Sequence, residues 1–306
     1  MSLNGIIFIN KKAGISSAGV VRDVKKIVQC KVGHGGTLDP IATGVLPILI
    51  GEGTKFGSFS LQKNKTYNAE LLLGVSTDTG DKTGTVLEEK NIICTKGEIL
   101  KVLKKFSGKY SQTVPSYSAV KVRGVPMYKL ARRGITTDKI VRQVEITDLK
   151  LVALTGPRLE LKVTCSKGTY IRSLATDIGE MLGCGAHITN LERSAVGEFS
   201  LRDAFTLDNM TQDLKRFGKK ILDEKYIRPV DLFLKDFRSL DLSEKQLGKI
   251  VNGVEIEAPF EFEKVADNIV LRLYDDEKKF IGLAETKGNK IFPKRLIGLK
   301  NMRKLT

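Results

Sequence analysis

The stretch GHGGTLDPIATGVLPILIGEGTK, Gly33 to Lys55, decides how the rest of this chain reads. Gly33, Gly35 and Gly36 open a backbone path that residues with a Cβ rarely take. Pro40 holds the preceding Asp39 in extended conformations. A carboxylate at the tip of such a loop is either placed for chemistry or caps a turn, a common fate of Asp before Pro. A short apolar run, VLPILIG, follows the loop.

Upstream, GIIFI (residues 5–9) reads as a short buried strand. SSAGVVRDVKKIVQC then reads as a helix with Ser16 or Ser17 as its N-cap and Val20, Val21, Val24, Ile27 and Val28 as its apolar stripe. Downstream, Tyr67, Ala69, Leu71 and Leu73 alternate on one face of a strand, and VSTDTGDKTG reads as a polar loop. Residues 97–107 suggest a helix, with Ile99, Leu100, Leu103 and Phe106 at helical spacing. RLELKVTCS alternates again, and KGTYIRSLATDIGEMLG turns out of it into a helix. The stripe expected there is Ile171, Leu174, Ala175, Ile178, Met181 and Leu182, with Gly183 as the stop. Strands and helices without regular βαβ alternation predict an α+β fold. Around residues 228–243 the texture changes to a small, mostly β module with turns at Asn252-Gly253 and Lys287-Gly288.

Apolar residues make up 41% of the 306, enough for a core, and charged residues of both signs make up 28%, which excludes wholesale disorder. No run approaches the roughly 18 apolar residues of a membrane span. The start of the chain lacks the basic region of a signal peptide. Cys30, Cys94, Cys165 and Cys184 form no CxxC pair, and His34 and His187 are the only histidines, so no zinc site is expected. Free thiols and no targeting segment point to the cytoplasm.

The 51 Lys and Arg against 35 acids give a net charge of +16 and a pI near 9.6, which favours a polyanionic partner, nucleic acid ahead of a membrane. From Lys96 to Lys150 there are 13 bases and four acids, so this stretch carries +9 of the excess. Within it KVRGVPMYKLARR, Lys121 to Arg133, has five bases and no acid. Tyr117, Met127 and Tyr128 lie in or beside that run, so it fits a surface that grips a phosphate backbone; the alternative is an exposed helix with a solvated face. The P-loop, deaminase and nucleophile-elbow motifs are absent, and the glycines at Gly51, Gly53 and Gly57 miss the dinucleotide spacing.

GHGGTLDPIATGVLPILIGEGTK closely resembles the active-site motif of the TruB family of tRNA pseudouridine synthases. NKKAGISS (Asn10 to Ser17) resembles the family's first motif, with Lys12 where the family usually has Pro, and Gly35-Gly36-Thr37 is a variant that the family tolerates. The context of Tyr67, the block PSYSAVKVRGVPMYKLARRGI and the run CSKGTYIRSLATDIGEMLGCGAHITNLERSAVGEF are also similar to the family, in order from residue 5 to about 205. QLGKIVNGVEI and IGLAE are similar to a PUA domain. The resemblance implies a mixed, mainly antiparallel central sheet. It divides the chain into a catalytic domain over 1–236 with an RNA-binding insertion at about 109–150, and a PUA-like domain over 237–306.

The same resemblance implies cofactor-free and metal-free conversion of the T-loop uridine at tRNA position 55 to pseudouridine. Asp39 would be the essential carboxylate, acting as nucleophile or as base, Arg172 its guanidinium partner, and Tyr67 the ring that stacks on the base and helps remove the C5 proton. Without the motif, Arg172 would read as a surface arginine one position off the apolar stripe. His34, Lys167, Tyr170, Lys11, Lys121, Arg132 and Arg133 would serve the substrate, with Lys11 bracing the loop and Lys167 holding phosphate or bracing the fold. Extruding the stacked uridine costs roughly a few kcal/mol, which phosphate contacts of the basic segment would offset. The expected partner is the T-arm of tRNA, without guide RNA or membrane, and the expected state is a monomer. The guide-dependent branch lacks the basic insertion; an RNA-folding helper is the other class weighed, and the presence of every candidate catalytic residue disfavours it.

Overall fold

The computed structural model describes residues 3–262 and 266–298. Residues 1–2, 263–265 and 299–306 of the two expected domains lie outside the described residues.

Strand β1 (Gly5–Lys11) is buried along almost its whole length, so its Ile/Phe run lies inside the protein. Helix α1 (Ser17–Val28) starts where Ser16 accepts the Gly19 amide, and it buries Val20, Val24 and Val28. Strands β2 (Val32–His34) and β3 (Thr43–Ile50) flank the glycine-rich loop. A 3-10 turn (Gly51–Phe56) leads into α2 (Gly57–Gln62), then β4 (Lys65–Leu73), which buries Tyr67, Ala69, Leu71 and Leu73 on one face. The polar 75–84 segment is better ordered than its composition predicts. It opens with β5 (Val75–Thr77), which pairs with β6 (Val86–Glu89).

Helix α3 (Lys96–Phe106) carries a Thr95–Glu98 capping box. Its stripe buries Val102, whereas Leu100 is exposed: a position about one turn before Leu103 but on the outer edge of the stripe stays wet. After β7 (Gly108–Thr113), the basic insertion holds a two-stranded ribbon, β8 (Lys121–Val122) with β9 (Val125–Pro126), and the short α4 (Met127–Ala131). Met127 is buried and so is not offered to a ligand. Strands β10 (Val141–Thr155) and β11 (Arg158–Cys165) form a long hairpin, followed by α5 (Ile171–Met181). Met181 is exposed at the helix end, contrary to the expected stripe. Strands β12 (Ala186–Val196) and β13 (Phe199–Ser200) and helix α6 (Leu207–Phe217) follow.

The central sheet runs β1-β3-β12-β4-β11-β10-β7, with β2 added to β3 and β13 to β12. All its pairings are antiparallel except β12 with β3, so the fold is α+β on a mixed, mainly antiparallel sheet. Helices α1, α3 and α5 share one apolar cluster with the inner faces of β4 and β11. A second sheet, ordered β14-β16-β17-β18-β15, contains β14 (Arg238–Asp241), β15 (Ile256–Glu257), β16 (Val270–Tyr274), β17 (Phe280–Lys287) and β18 (Lys290–Leu296). It packs with α7 (Glu244–Val251) around its own core of Leu271, Leu273, Ile250 and Ile291. Lys287-Gly288 is its tight hairpin turn, and Asn252-Gly253 ends α7.

Candidate active site

The segment from Gly35 to Pro40 is tied down almost residue by residue. The Gly35 amide donates to the Pro47 carbonyl at 2.8 Å, and the carbonyls of Gly36 and Thr37 accept from Arg193 at 3.0 and 3.3 Å. Ser17 Oγ accepts the Leu38 amide at 2.8 Å and donates to the Leu38 carbonyl at 3.0 Å. The Pro40 carbonyl accepts the Gly14 amide at 2.8 Å and Lys11 Nζ at 3.3 Å. Each fixed backbone group removes a way for the loop to move, so Asp39 sits on a preorganised frame.

The three glycines of this loop serve different needs. Gly36 has φ +139°, in the region that glycine favours, and a Cβ on Gly35 would lie 2.3 Å from Ser60 Oγ. Gly33 meets neither constraint, so its freedom is not what shapes the loop.

Asp39 does more than cap its turn. Its Oδ2 accepts from Arg172 Nε at 2.8 Å, and its side chain remains 34% exposed while that of Arg172 is 5% exposed. Arg172 occupies the first turn of α5, and its burial overturns the reading of a surface arginine. The rest of its fork is also used: Nη1 donates to the Thr79 carbonyl and Nη2 to the Tyr117 carbonyl, each at 2.8 Å. One guanidinium therefore joins the Asp39 loop, the 75–84 loop and the insertion.

Asp81 lies behind this pair, buried, with its Oδ2 3.9 Å from Arg172 Nε. Its Oδ1 accepts from the hydroxyls of Thr79 and Thr83 and from the Thr83 amide. It thus contributes a second anion to the buried guanidinium.

Asp39, Tyr67, Lys167, Tyr170 and Arg172 all line one cavity of about 690 Å³. Its wall carries the cations Lys65, Arg142, Lys167, Arg172 and Arg193 against the single carboxylate of Asp39, a lining that suits an anionic ligand. Burial pushes the Tyr67 phenol above its ordinary 10, which keeps it protonated and leaves its ring as the feature it presents. Lys65 donates to the carbonyls of Ser60, Leu61 and Lys63, and desolvation lowers it to about 8.

Other expected substrate residues lie elsewhere. Lys11 is fully buried beneath the loop, where its ammonium donates to the carbonyls of Lys12, Ile15 and Pro40. Desolvation lowers it to about 8, against the raising effect of Asp39. With its donors spent on backbone it does not reach a ligand. His34, on β2, is outside the cavity lining; burial and then the Arg193 charge push its pKa down, so the ring is neutral, and its buried Nδ1 has no hydrogen-bond partner. Lys121, Arg132 and Arg133 are also outside the lining, exposed on the ribbon and at the end of α4, where the Arg132 guanidinium lies 5.7 Å from the Tyr128 ring centroid. Lys12, the departure from the motif, pairs with Asp208 on α6.

The profile described as TruB family pseudouridylate synthase (N terminal domain) matches residues 24–171. Two more, tRNA pseudouridylate synthase B C-terminal domain and Pseudouridine synthase II TruB, C-terminal, match 172–235 and 239–297. The protein named tRNA pseudouridine synthase B of Ectopseudomonas mendocina is 40% identical over 297 residues, covering 96% of this chain and 95% of the relative. The chain belongs to the TruB family of pseudouridylate synthases. The Clostridium acetobutylicum protein of the same name is 40% identical to this TruB family chain, over 92% of it and 95% of the relative. Among solved structures, a chain of an H/ACA ribonucleoprotein bound to a substrate RNA containing 2′-deoxyuridine superposes with a TM-score of 0.71 at 22% identity, covering 96% of this chain and 85% of that one. That likeness supports the fold.

In this TruB family chain, the sequence left Arg193 and Asp81 unmarked and offered Ser17 only as a helix cap, where Ser17 in fact holds Leu38. Arg193 is 1% exposed, and its Nε also donates to the Val45 carbonyl at 2.8 Å. Alternation along β12 gives one usable signal for it, a charge two residues after the buried Leu191, on a face that should be apolar. It stands where β12 and β3 run side by side, and a Cβ on Gly44 (φ +102°) would come within 2.2 Å of the Arg193 carbonyl. Asp81 leaves no such signal, because a buried carboxylate in a polar run looks like its solvated neighbours.

Proposed function

We propose that the chain isomerises uridine to pseudouridine in the T-loop of tRNA, at position 55, with Asp39 as the essential carboxylate. The single observation that carries this reading is the Asp39–Arg172 pair at 2.8 Å in a cavity whose other charged lining residues are all cations. In the reaction the N1–C1′ bond breaks, uracil turns in place, and C5–C1′ forms. The C5 proton leaves and N1 takes one up, so nothing is oxidised and no group is lost. Asp39 acts at the ribose, as nucleophile or base, and the fixed guanidinium keeps its carboxylate aimed without reorganisation.

Tyr67 presents its neutral ring to the everted base, while Lys167 and Tyr170 line the same cavity. The insertion, about 109–150, grips the T-arm phosphates through Lys121, Arg132 and Arg133, whose exposure leaves their charge free for RNA. The catalytic unit spans 1–236 and the PUA-like unit 237–306, a division supported by the separate core of the second sheet. The enzyme works as a monomer, in the cytoplasm and without guide RNA. Four free thiols suit that compartment, and among the described residues no helix is long and apolar enough to cross a membrane.

Asp39→Asn tests the reading. Turnover is expected to vanish while tRNA affinity stays within about threefold, since a phosphate-held complex keeps its main contacts. Pseudouridine formed at the normal rate by this variant would remove Asp39 from the mechanism.

A further inference from the structure

The second sheet docks on the short segment Gly51–Gln62 that follows the catalytic loop. Arg295 on β18 donates to the Lys55 carbonyl and to Ser58 Oγ at 3.4 Å, with its guanidinium 6.0 Å from the Phe59 ring centroid. Lys55 in turn donates to the Leu296 carbonyl at 3.0 Å. Phe59 meets Phe237 edge-on at 5.6 Å and Phe56 meets Phe280 at 5.5 Å, around buried Leu234 and Leu283.

The opposite side of the same segment touches the catalytic loop. Ser60, fully buried, donates to the Gly35 carbonyl at 2.9 Å. Leu61 and Gln62 form part of the cavity wall, and Gln62 accepts from Lys167. Helix α2 is six residues long, too short to hold itself by its own hydrogen bonds, so its neighbours on either side set its place.

We infer that Phe59, Ser60 and Arg295 are positioning residues for the reaction: the C-terminal sheet holds α2, and α2 holds the glycine stretch that presents Asp39. The inference rests on the reading of Asp39 as the essential carboxylate. It assigns the C-terminal sheet a role in the chemical step that does not pass through RNA contact.

The test uses the full-length chain with a tRNA transcript: single-turnover rate with enzyme in excess, Kd by filter binding, and a thermal melt, with Asp39→Asn alongside. Arg295→Ala and Phe59→Leu are expected to melt cooperatively, to bind tRNA within about twofold of the parent and to lose about tenfold in single-turnover rate, since small misplacements of reacting groups are costly. Arg295→Lys, which can still donate to the Lys55 carbonyl, should recover part of the rate. Arg295→Ala combined with Ser60→Ala should be no slower than Ser60→Ala alone, because both act along one route. If Arg295→Ala weakens tRNA binding at an unchanged single-turnover rate, Arg295 is an RNA contact and the inference fails. If both quantities stay unchanged, the dock does not reach the site and it fails as well. Should Arg295→Ala not fold, Arg295→Lys and Phe59→Leu decide on the same criteria. Normal turnover by Asp39→Asn sinks the underlying reading instead, and so is told apart from failure of the dock.

Discussion

Replacing Arg172 by Lys keeps the charge and removes the fork. The guanidinium makes three bonds, to Asp39 Oδ2 and to the carbonyls of Thr79 and Tyr117. An ammonium is a point donor on a flexible stem and can keep the carboxylate only by releasing the two carbonyls. A hydrogen bond to a charged donor contributes about 1.5–3 kcal/mol. The lower end applies here, because Thr79 and Tyr117 are only half-buried, so water reaches the freed carbonyls. Two such bonds give about 3 kcal/mol, less than the usual stability of about 5–15 kcal/mol, so Arg172→Lys should fold. The Asp39 loop keeps its ties to Ser17, Lys11 and Arg193, so the loss falls on the aim of the carboxylate. Expressed wholly in the transition state, that loss slows single turnover about a hundredfold. Rapid-quench conversion of a labelled tRNA with enzyme in excess reads the rate, and filter binding should give a Kd within about threefold of the parent. A rate within twofold of the parent, or a loss confined to Kd, would refute the view that the fork aims Asp39.

Arg132→Ala with Arg133→Ala should weaken tRNA binding and flatten the log Kd against log salt plot by up to about 0.7–0.9 for each phosphate left unneutralised; an unchanged slope takes the insertion off the RNA. Asp81→Ala strips the acceptor from the Thr79 and Thr83 hydroxyls and the Thr83 amide and should cost about 2–3 kcal/mol in urea unfolding, with Asp81→Asn recovering most of it; equal stability of all three proteins would contradict a structural role for this carboxylate. Lys11 and Lys65 sit at about 8 in the folded chain against the ordinary 10.5. Between those values the unfolded chain binds more protons, so raising the pH from about 8 to about 10 should increase unfolding free energy, and Lys65→Gln should reduce that slope; a slope identical in the variant would place Lys65 in water.

Along this chain, the local rules worked where one face meets one environment. Strand β4 alternates as its sequence does, α1 is capped by Ser16, and the glycine-rich loop is built on Gly36 and Gly35. The failures share a cause. Leu100 and Met181 have the apolar character of a stripe, but whether a helix edge is covered depends on what packs beside it. Arg193 is a charged residue taken out of water by partners distant in sequence, such as the Val45 carbonyl that it reaches across the β12–β3 junction, whereas Asp81 and Lys65 bond to groups a few residues away and are buried by the packing around them. Lys11, which the family resemblance has bracing the loop, spends its donors on three carbonyls, and the one that ties it to that loop, Pro40, lies 29 residues away.

The sequence by itself determined that an aspartate would stand at the tip of a glycine-built loop, that the chain would be basic with its excess gathered in one segment, and that strands and helices would alternate irregularly. Those are statements about neighbours a few residues apart, where backbone sterics and side-chain periodicity decide. The family resemblance already paired Arg172 with Asp39, but only the tertiary structure decided that the same guanidinium also joins the 75–84 loop and the insertion, and that the C-terminal sheet reaches the loop through α2. Hydrogen bonds and charge pairs between distant segments exist only once the sheet order has brought those segments within about 3 Å, and sheet order is set by the packing of the whole core.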